Sequence, residues 1–317
     1  MSDYHTVSER EGSPVAITVD PGFRSIDSRR FRAGVVALIL LCAAFSPILS
    51  DWFRIAMGSD LHSHVVIIPL VTIYLLFTGR DELDRLSKPS PIAGGSVILL
   101  AGAVIGWVLL SVPSWSQVDL VALKMVSFVG LSWGICLLFF GCRWMISAIF
   151  PLGFLLFMIP LPDLAVEGLE HFLMILSAQL SEILFSIGRI PVFRSGQVLE
   201  LPGMILEVAQ ECSGIRSSWV LFITSVVAAY LFLPTFPRRL ALVAVVLPLA
   251  ILRNAVRIFV IGWLCVNYGP DMIDSWIHHR GGPVFFAASL VPLFFIGWCL
   301  RKRKSKAALD LAAAPKP

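Results

Sequence analysis

Charge is scarce in this chain. Asp, Glu, Lys and Arg together make up 15% of its 317 residues, against about 25% in soluble globular domains. That shortage excludes a soluble fold. With 57% apolar residues and a mean hydropathy of +0.84, the composition specifies an integral membrane protein with many spans rather than a single anchor. Paired cysteines are also missing. Cys42, Cys136, Cys142, Cys212, Cys265 and Cys299 form no Cys-x-x-Cys pair and no metal-ligand spacing, so no metal and no other cofactor is expected. Basic residues are not interleaved with aromatics, which excludes a nucleic-acid surface. The net charge of +4 falls in blocks that read as topology and lipid headgroup contact. A cleavable signal peptide is not expected either, because the polar stretch before the first apolar run is too long and acidic for a signal n-region.

What is present is a series of apolar runs. A span needs roughly 20 apolar residues. The runs place spans at about 33–50, 63–78, 91–112, 118–140, 145–162, 214–234, 240–267 and 283–300. The expected fold is therefore an all-α polytopic membrane protein with about eight transmembrane helices. Residues 1–32 read as a disordered cytoplasmic tail, 33–300 as the membrane domain and 301–317 as a basic cytoplasmic tail. Arg80, Arg85, Lys88, Arg143, Arg238, Arg239 and the cluster Arg301, Lys302, Arg303, Lys304 and Lys306 then all fall on one side. The positive-inside rule makes that side cytoplasmic, with both termini there, in the plasma (inner) membrane.

One stretch resists this scheme. Residues 164–188 are apolar but carry Glu167, Glu170, His171, Gln179 and Glu182. A ninth span here would invert everything after it, so an amphipathic or re-entrant segment on the outer face is expected. Val198-Leu199-Glu200-Leu201 and Ile205-Leu206-Glu207-Val208 suggest short strands, and Pro202 and Gly203 a turn.

Chemistry concentrates at three places. Cys212 stands in Glu211-Cys212-Ser213-Gly214-Ile215-Arg216-Ser217-Ser218, just before the apolar run 219–233. A thiol at the start of a helix feels the positive end of the helix dipole, which favours the nucleophilic thiolate, and Arg216 adds to the effect. The other five cysteines read as small buried apolar residues. Arg253-Asn254-Ala255-Val256-Arg257 interrupts a hydrophobic helix. An arginine inside a span costs roughly 2.5–3.5 kcal/mol on insertion scales. Arg253 and Arg257 share a face at i, i+4. The bland readings are snorkelling or pairing with Glu207 or Glu211 for the arginines, and a helix–helix hydrogen bond for Asn254. His278 and His279 stand before the last span, and His62 and His64 on the same outer side. The last two sit at i, i+2, a weak metal-ligand signal, and with Asp60 they equally read as lining a cleft. A cysteine, an arginine and a histidine at one membrane edge suggest thiol chemistry on a peptide.

With these residues in hand, the chain resembles the exosortase/archaeosortase family of membrane-embedded cysteine transpeptidases. Residues 208–217 resemble the family's cysteine box, Asn254-Ala255-Val256-Arg257 its Asn-x-x-Arg box, and His278 followed by Gly282, Phe285 and Phe286 its histidine box. Ser63-His64 ahead of Ile68-Pro69-Leu70, and Ile159-Pro160-Leu161-Pro162, are lesser matches. The likeness covers about residues 35–300. It implies Cys212 as nucleophile, Arg257 as oxyanion stabiliser and His278 as acid/base, with His279 as the alternate. Arg216, Asn254, Arg253 and His64 are the expected substrate-binding residues. The implied substrates are exported proteins with a C-terminal sorting signal: a Pro-Glu-Pro-type motif, a transmembrane helix and a basic cluster. They would be cut through a thioacyl intermediate and passed to a cell-envelope acceptor, in systems that accompany exopolysaccharide production. The partners are thus such proteins and membrane lipid, with the site on the extracytoplasmic side. Two competing classes remain from residues alone: a membrane transporter, since intramembrane Arg and His often mark substrate paths, and an inactive scaffold for exopolysaccharide export.

Overall fold

A computed structural model describes residues 28–59, 61–79, 88–110, 115–208, 214–269, 271–272 and 281–301. It is built almost entirely of helices. In chain order these are α1 Ser28–Ala44, α2 Ser46–Gly58, a 3₁₀ turn Ser63–Ile67, α3 Ile68–Thr78, α4 Pro91–Leu110 and α5 Gln117–Phe139. There follow α6 Cys142–Ser147, α7 Ile149–Phe154, a 3₁₀ turn Leu155–Met158 and α8 Asp163–Ile187. After a small sheet come α9 Ile215–Phe232, α10 Phe236–Ala244, α11 Val246–Tyr268 and α12 Gly282–Arg301. The chain is an all-α polytopic membrane protein.

The spans fall differently from the sequence reading at four points. Six helices are long and apolar enough to cross a membrane, with α10 and α11 counted as one, and a seventh is added if α1 and α2, bent by 69°, form one broken span. Residues 63–78 and the 145–162 stretch yield only shorter apolar helices, Ser63–Thr78 and Ile149–Met158. Proline sets two of these breaks. Pro47 and Pro151 each sit in the first turn of a helix that follows a break, where the missing N–H costs nothing but continuation of the preceding helix would be obstructed. The 164–188 stretch is one continuous helix, α8, whose length and composition would themselves permit crossing. Two of its polar groups, Glu182 and His171, turn to the sheet region. Arg194 Nε donates to Glu182 Oε2 at 2.6 Å, and Gln197 Nε2 donates to His171 Nδ1 at 2.9 Å. Of the predicted tails at 1–32 and 301–317, residues 1–27 and 302–317 lie outside the described residues, whereas 28–32 form the start of α1 and Arg301 ends α12.

The tightest pairing is the α4–α5 hairpin. Small residues let the two backbones approach: a Cβ added at Gly94 would lie 2.7 Å from the Leu138 nitrogen, and one at Gly134 2.6 Å from Ile98 Cγ1. This is the expected membrane solution, where close van der Waals contact replaces the hydrophobic drive available in water.

The sheet is a three-stranded antiparallel meander, β1 Phe193–Ser195, β2 Val198–Leu201 and β3 Met204–Glu207. The second strand matches the sequence reading, and the third begins one residue earlier. Pro202-Gly203 closes the β2–β3 turn, with Leu201 opposite Met204. Gly203 has φ +81°, and proline followed by positive-φ glycine is the type II signature. Leu199, Leu201 and Leu206 pack with Met174, Ala178 and Phe185 of α8 and Ile258 of α11. Phe185 and Leu201 both press on Gly262 of α11, where a Cβ would meet them at 2.5 and 3.0 Å.

Candidate functional site

Gly214 is the residue before α9 and adopts φ +68°, ψ 12°. Side chains rarely tolerate that left-handed conformation, so glycine here turns the chain sharply into the helix. Its carbonyl accepts the α9 amide of Ser218 at 3.0 Å and the hydroxyls of Ser217 at 3.1 Å and Ser218 at 2.7 Å.

The Asn-x-x-Arg segment reaches this turn from α11. Arg253 Nη2 donates to the Gly214 carbonyl at 3.1 Å and to Ser218 Oγ at 3.0 Å. A Cβ on Gly214 would lie 3.2 Å from Arg253 Nη2 and 3.3 Å from Asn254 Oδ1. Arg253 is 8% exposed and Asn254 3%. Arg257 is half-buried one turn further on, and Arg216 is exposed on the first turn of α9.

Gly282, the first residue of α12, lies at the same level. Phe232 of α9 and Arg301 of α12 line one groove, together with Leu242 and Trp298. Counting back, Gly214 precedes Phe232 by eighteen residues and Gly282 precedes Arg301 by nineteen. Equal helical rise therefore brings Gly214 and Gly282 to the same end of the bundle. A second ruler agrees. Gly297 packs against Leu242; fifteen residues back along α12 is Gly282, and fifteen forward from Leu242 is Arg257. Arg238, Arg239 and Arg301 collect at the opposite end, and α11 continues fifteen residues past Arg253 to Tyr268, roughly 22 Å at 1.5 Å per residue. The sheet and the second half of α8 pack on this overhang.

Cys212, His278 and His279, the expected nucleophile and its acid/base partners, lie outside the described residues, as do Glu211 and Asp60. In sequence, Cys212 stands two residues before Gly214 and His278 four before Gly282.

His64 also arrives at this end. Its Nδ1–H donates to the Leu61 carbonyl at 2.8 Å, and its Nε2 accepts Trp219 Nε1–H at 3.0 Å. A carbonyl only accepts and an indole N–H only donates, so the contacts select one neutral tautomer. Trp219 is one turn into α9 and stacks on Phe222 at 5.4 Å between ring centroids. His62 is buried at 5% exposure, with Nδ1 3.1 Å from Ser59 Oγ. Burial pushes its pKa down, opposed by the Leu161 carbonyl and the Asp163 carboxylate. The Ile159-Pro160-Leu161-Pro162 text therefore lies against the His62–His64 turn. Trp52 Nε1 holds the preceding Met158 carbonyl at 2.8 Å, and the Asp163 amide donates to Asp119 Oδ1 at 3.0 Å. Sequence reasoning missed Ser218 and Trp219 as partners of Arg253 and His64. No local signal reveals them, since the pairs are 35 and 155 residues apart.

A family model described as transmembrane exosortase matches residues 52–295, more than half of the chain. No curated protein and no solved structure matches it.

Proposed function

Because the chain belongs to the transmembrane exosortase family, we propose that it cleaves the C-terminal sorting signal of exported proteins through a thioacyl intermediate on Cys212 and passes the new C-terminus to a cell-envelope acceptor. The observation that carries this reading is the level shared by Gly214, the Arg253–Arg257 turn and Gly282. It supports the reading because Gly214 and Gly282, which follow Cys212 and His278 in the sequence, lie at the same end of the bundle as the Arg253–Arg257 turn.

The Cys212 thiolate attacks the scissile carbonyl carbon and a carbon–sulfur bond forms. Negative charge develops on the carbonyl oxygen, and Arg257 stabilises it; losing one such donor typically costs about 10²–10³ in rate. The intermediate collapses, the carbon–nitrogen bond breaks, and the leaving amine takes a proton from His278. An acceptor amine or hydroxyl, or water, then attacks the thioacyl carbon and returns a proton to His278. The carbon–sulfur bond breaks and the thiolate is restored. Arg216 on α9 and His64 beside Trp219 serve substrate binding, and the substrate's own membrane helix lies beside α9, α11 and α12, which positions the reacting carbonyl.

The basic end formed by Arg238, Arg239 and Arg301 supports a cytoplasmic location for that end and an extracytoplasmic one for the site. The membrane is then the plasma (inner) membrane, with both termini cytoplasmic.

The test uses membranes containing the wild-type chain or Cys212→Ala, each expressed with an exported protein bearing a C-terminal Pro-Glu-Pro-type signal, transmembrane helix and basic cluster. Substrate size is followed on a blot. A size shift that requires Cys212 is expected. A shift that persists undiminished in the variant excludes the thiol mechanism.

A further inference from the structure

The basic end of the bundle holds a groove that the candidate site does not use. It has a volume of about 240 Å³ and lies between the last turn of α9, α10 and the last turns of α12. Leu233 is extended after α9, and α10 then starts anew with Pro237 in its first turn. Ala228 and Gly297 are small residues in the lining, and Phe232, Phe294 and Trp298 supply aromatic surface. Among the described residues, a Cβ on Gly297 would touch only Leu242, at 3.7 Å. Open space therefore lies beside this glycine.

Charge at the groove has one sign. Arg301, the last residue of α12, lines it. Arg239 Nε donates at 2.9 Å to the carbonyl of Leu233, another lining residue, which commits one of its N–H donors. Arg238 precedes it on α10. Among the described residues no carboxylate lines the groove, and the ion pairs, Arg54 with Asp51 and Arg194 with Glu182, lie elsewhere.

An apolar lining with a cationic end fits an occupant that has a hydrocarbon chain and an anionic head. One turn of a helix about 10 Å wide fills roughly 400 Å³, more than the groove offers, whereas a single acyl chain is thin. A second copy of the chain in the same membrane would bring its own arginines to the same level, where like charges repel. A free anion would satisfy the arginines and leave the apolar lining unfilled.

We propose that this groove binds one anionic phospholipid of the bilayer, with an acyl chain along Ala228, Leu293 and Gly297 and the phosphate held by Arg301 and Arg239. Basic groups at a membrane surface attract anionic lipid in general; the groove fixes one molecule in place. That lipid bridges α9 and α12 at the end opposite Gly214 and Gly282, so it is neither substrate nor acceptor of the reaction proposed above. It fastens together the two helices that follow Cys212 and His278 in the sequence.

The experiment uses the full chain purified in detergent, with native mass spectrometry to count bound lipid and melting temperature to read its effect. The probes are phosphatidylglycerol, phosphatidylcholine with the same acyl chains, and inorganic phosphate. One phosphatidylglycerol is expected to bind per chain, at least about tenfold more tightly than phosphatidylcholine, and to raise the melting temperature. Equal binding of the two lipids overturns the proposal, and so does a matching rise with phosphate alone. Gly297→Leu fills the groove and is expected to abolish the rise; a rise of wild-type size overturns the proposal. Ala228→Leu fills it from α9 and covers the case in which Gly297→Leu does not fold. Arg301→Gln is expected to shrink the preference for phosphatidylglycerol while phosphatidylcholine binding stays the same. An unchanged preference means that the headgroup is not held at this mouth, and the proposal falls.

Discussion

Arg253 reaches across from α11 and donates to the carbonyl of Gly214, 39 residues earlier in the chain, at 3.1 Å. With the bond to Ser218 Oγ, it ties the residue just before the Asn-x-x-Arg box to Gly214, two residues after Cys212 in the sequence. An arginine that reads in sequence as a candidate for substrate contact is thus partly occupied in holding a backbone turn.

Gly214→Ala tests the turn. A left-handed conformation costs a non-glycine residue roughly 1–2 kcal/mol, and the new methyl would press on Arg253 Nη2 and Asn254 Oδ1 at 3.2 and 3.3 Å. Stability is expected to fall by about that strain or more, and processing with it. Thermal unfolding in detergent and the substrate blot measure the two. Gly168→Ala is the control, because nothing lies within 4 Å of its added Cβ and alanine is the better helix former.

Gly94→Ala probes the α4–α5 contact. Its Cβ would meet the Leu138 backbone at 2.7 and 2.8 Å, and neither atom can swing aside as a side chain would. Overpacking of this kind costs typically about 1–3 kcal/mol. The neighbouring Gly95→Ala has open space and is expected to leave the melting temperature unchanged. Equal melting temperatures for the two variants would count against the close approach.

Trp219→Phe removes the indole N–H that His64 Nε2 accepts at 3.0 Å and keeps most of the ring packing on Phe157 and Phe222. The expected loss is about 1 kcal/mol, the usual net value of one such bond. His64→Phe should cost less in the Trp219→Phe background than in the wild type, by the value of the shared bond, since its bond to the Leu61 carbonyl is lost in both backgrounds. Fully additive losses would show that the bond contributes nothing.

Acid should destabilise the fold through His62. Burial holds its folded-state pKa below the ordinary value, which is about 6.5. Above that pH neither state binds the proton. As pH falls through about 6.5, the unfolded chain takes it up first, so stability declines on the acid side and stays level on the basic side. Melting temperatures at several pH values on both sides of that point, for wild type and His62→Gln, check this. The variant is expected to show a shallower acid slope, and identical slopes would refute the assignment.

Much of the candidate site is legible in the sequence because membrane insertion makes polar residues conspicuous. Arg253 and Arg257 stand out in an apolar helix, and the glycine and serines after Cys212 mark a helix start. The short strands are also legible, since Pro202 and Gly203 punctuate an otherwise apolar stretch. The span boundaries are less so. Hydropathy measures burial in lipid or protein alike, and it does not register the 69° bend between α1 and α2 or the shortness of the helices in 63–78 and 145–162. Residues 164–188 show the same limit. Their charged side chains read as a surface face, yet Glu182 and His171 are matched by Arg194 and Gln197 of the sheet region.

The sequence by itself determined the class of molecule, the positions of the polar interruptions and the three segments that carry the family resemblance. These depend on composition and local spacing, which a linear chain carries in full. Tertiary structure alone decided who meets whom. The pairing of Arg253 with Gly214 and Ser218, of His64 with Trp219, and of α8 and the sheet with the far half of α11 are long-range contacts selected by packing. No periodicity along the chain encodes them, because each is the outcome of whole helices settling against one another through small residues and a few polar bonds.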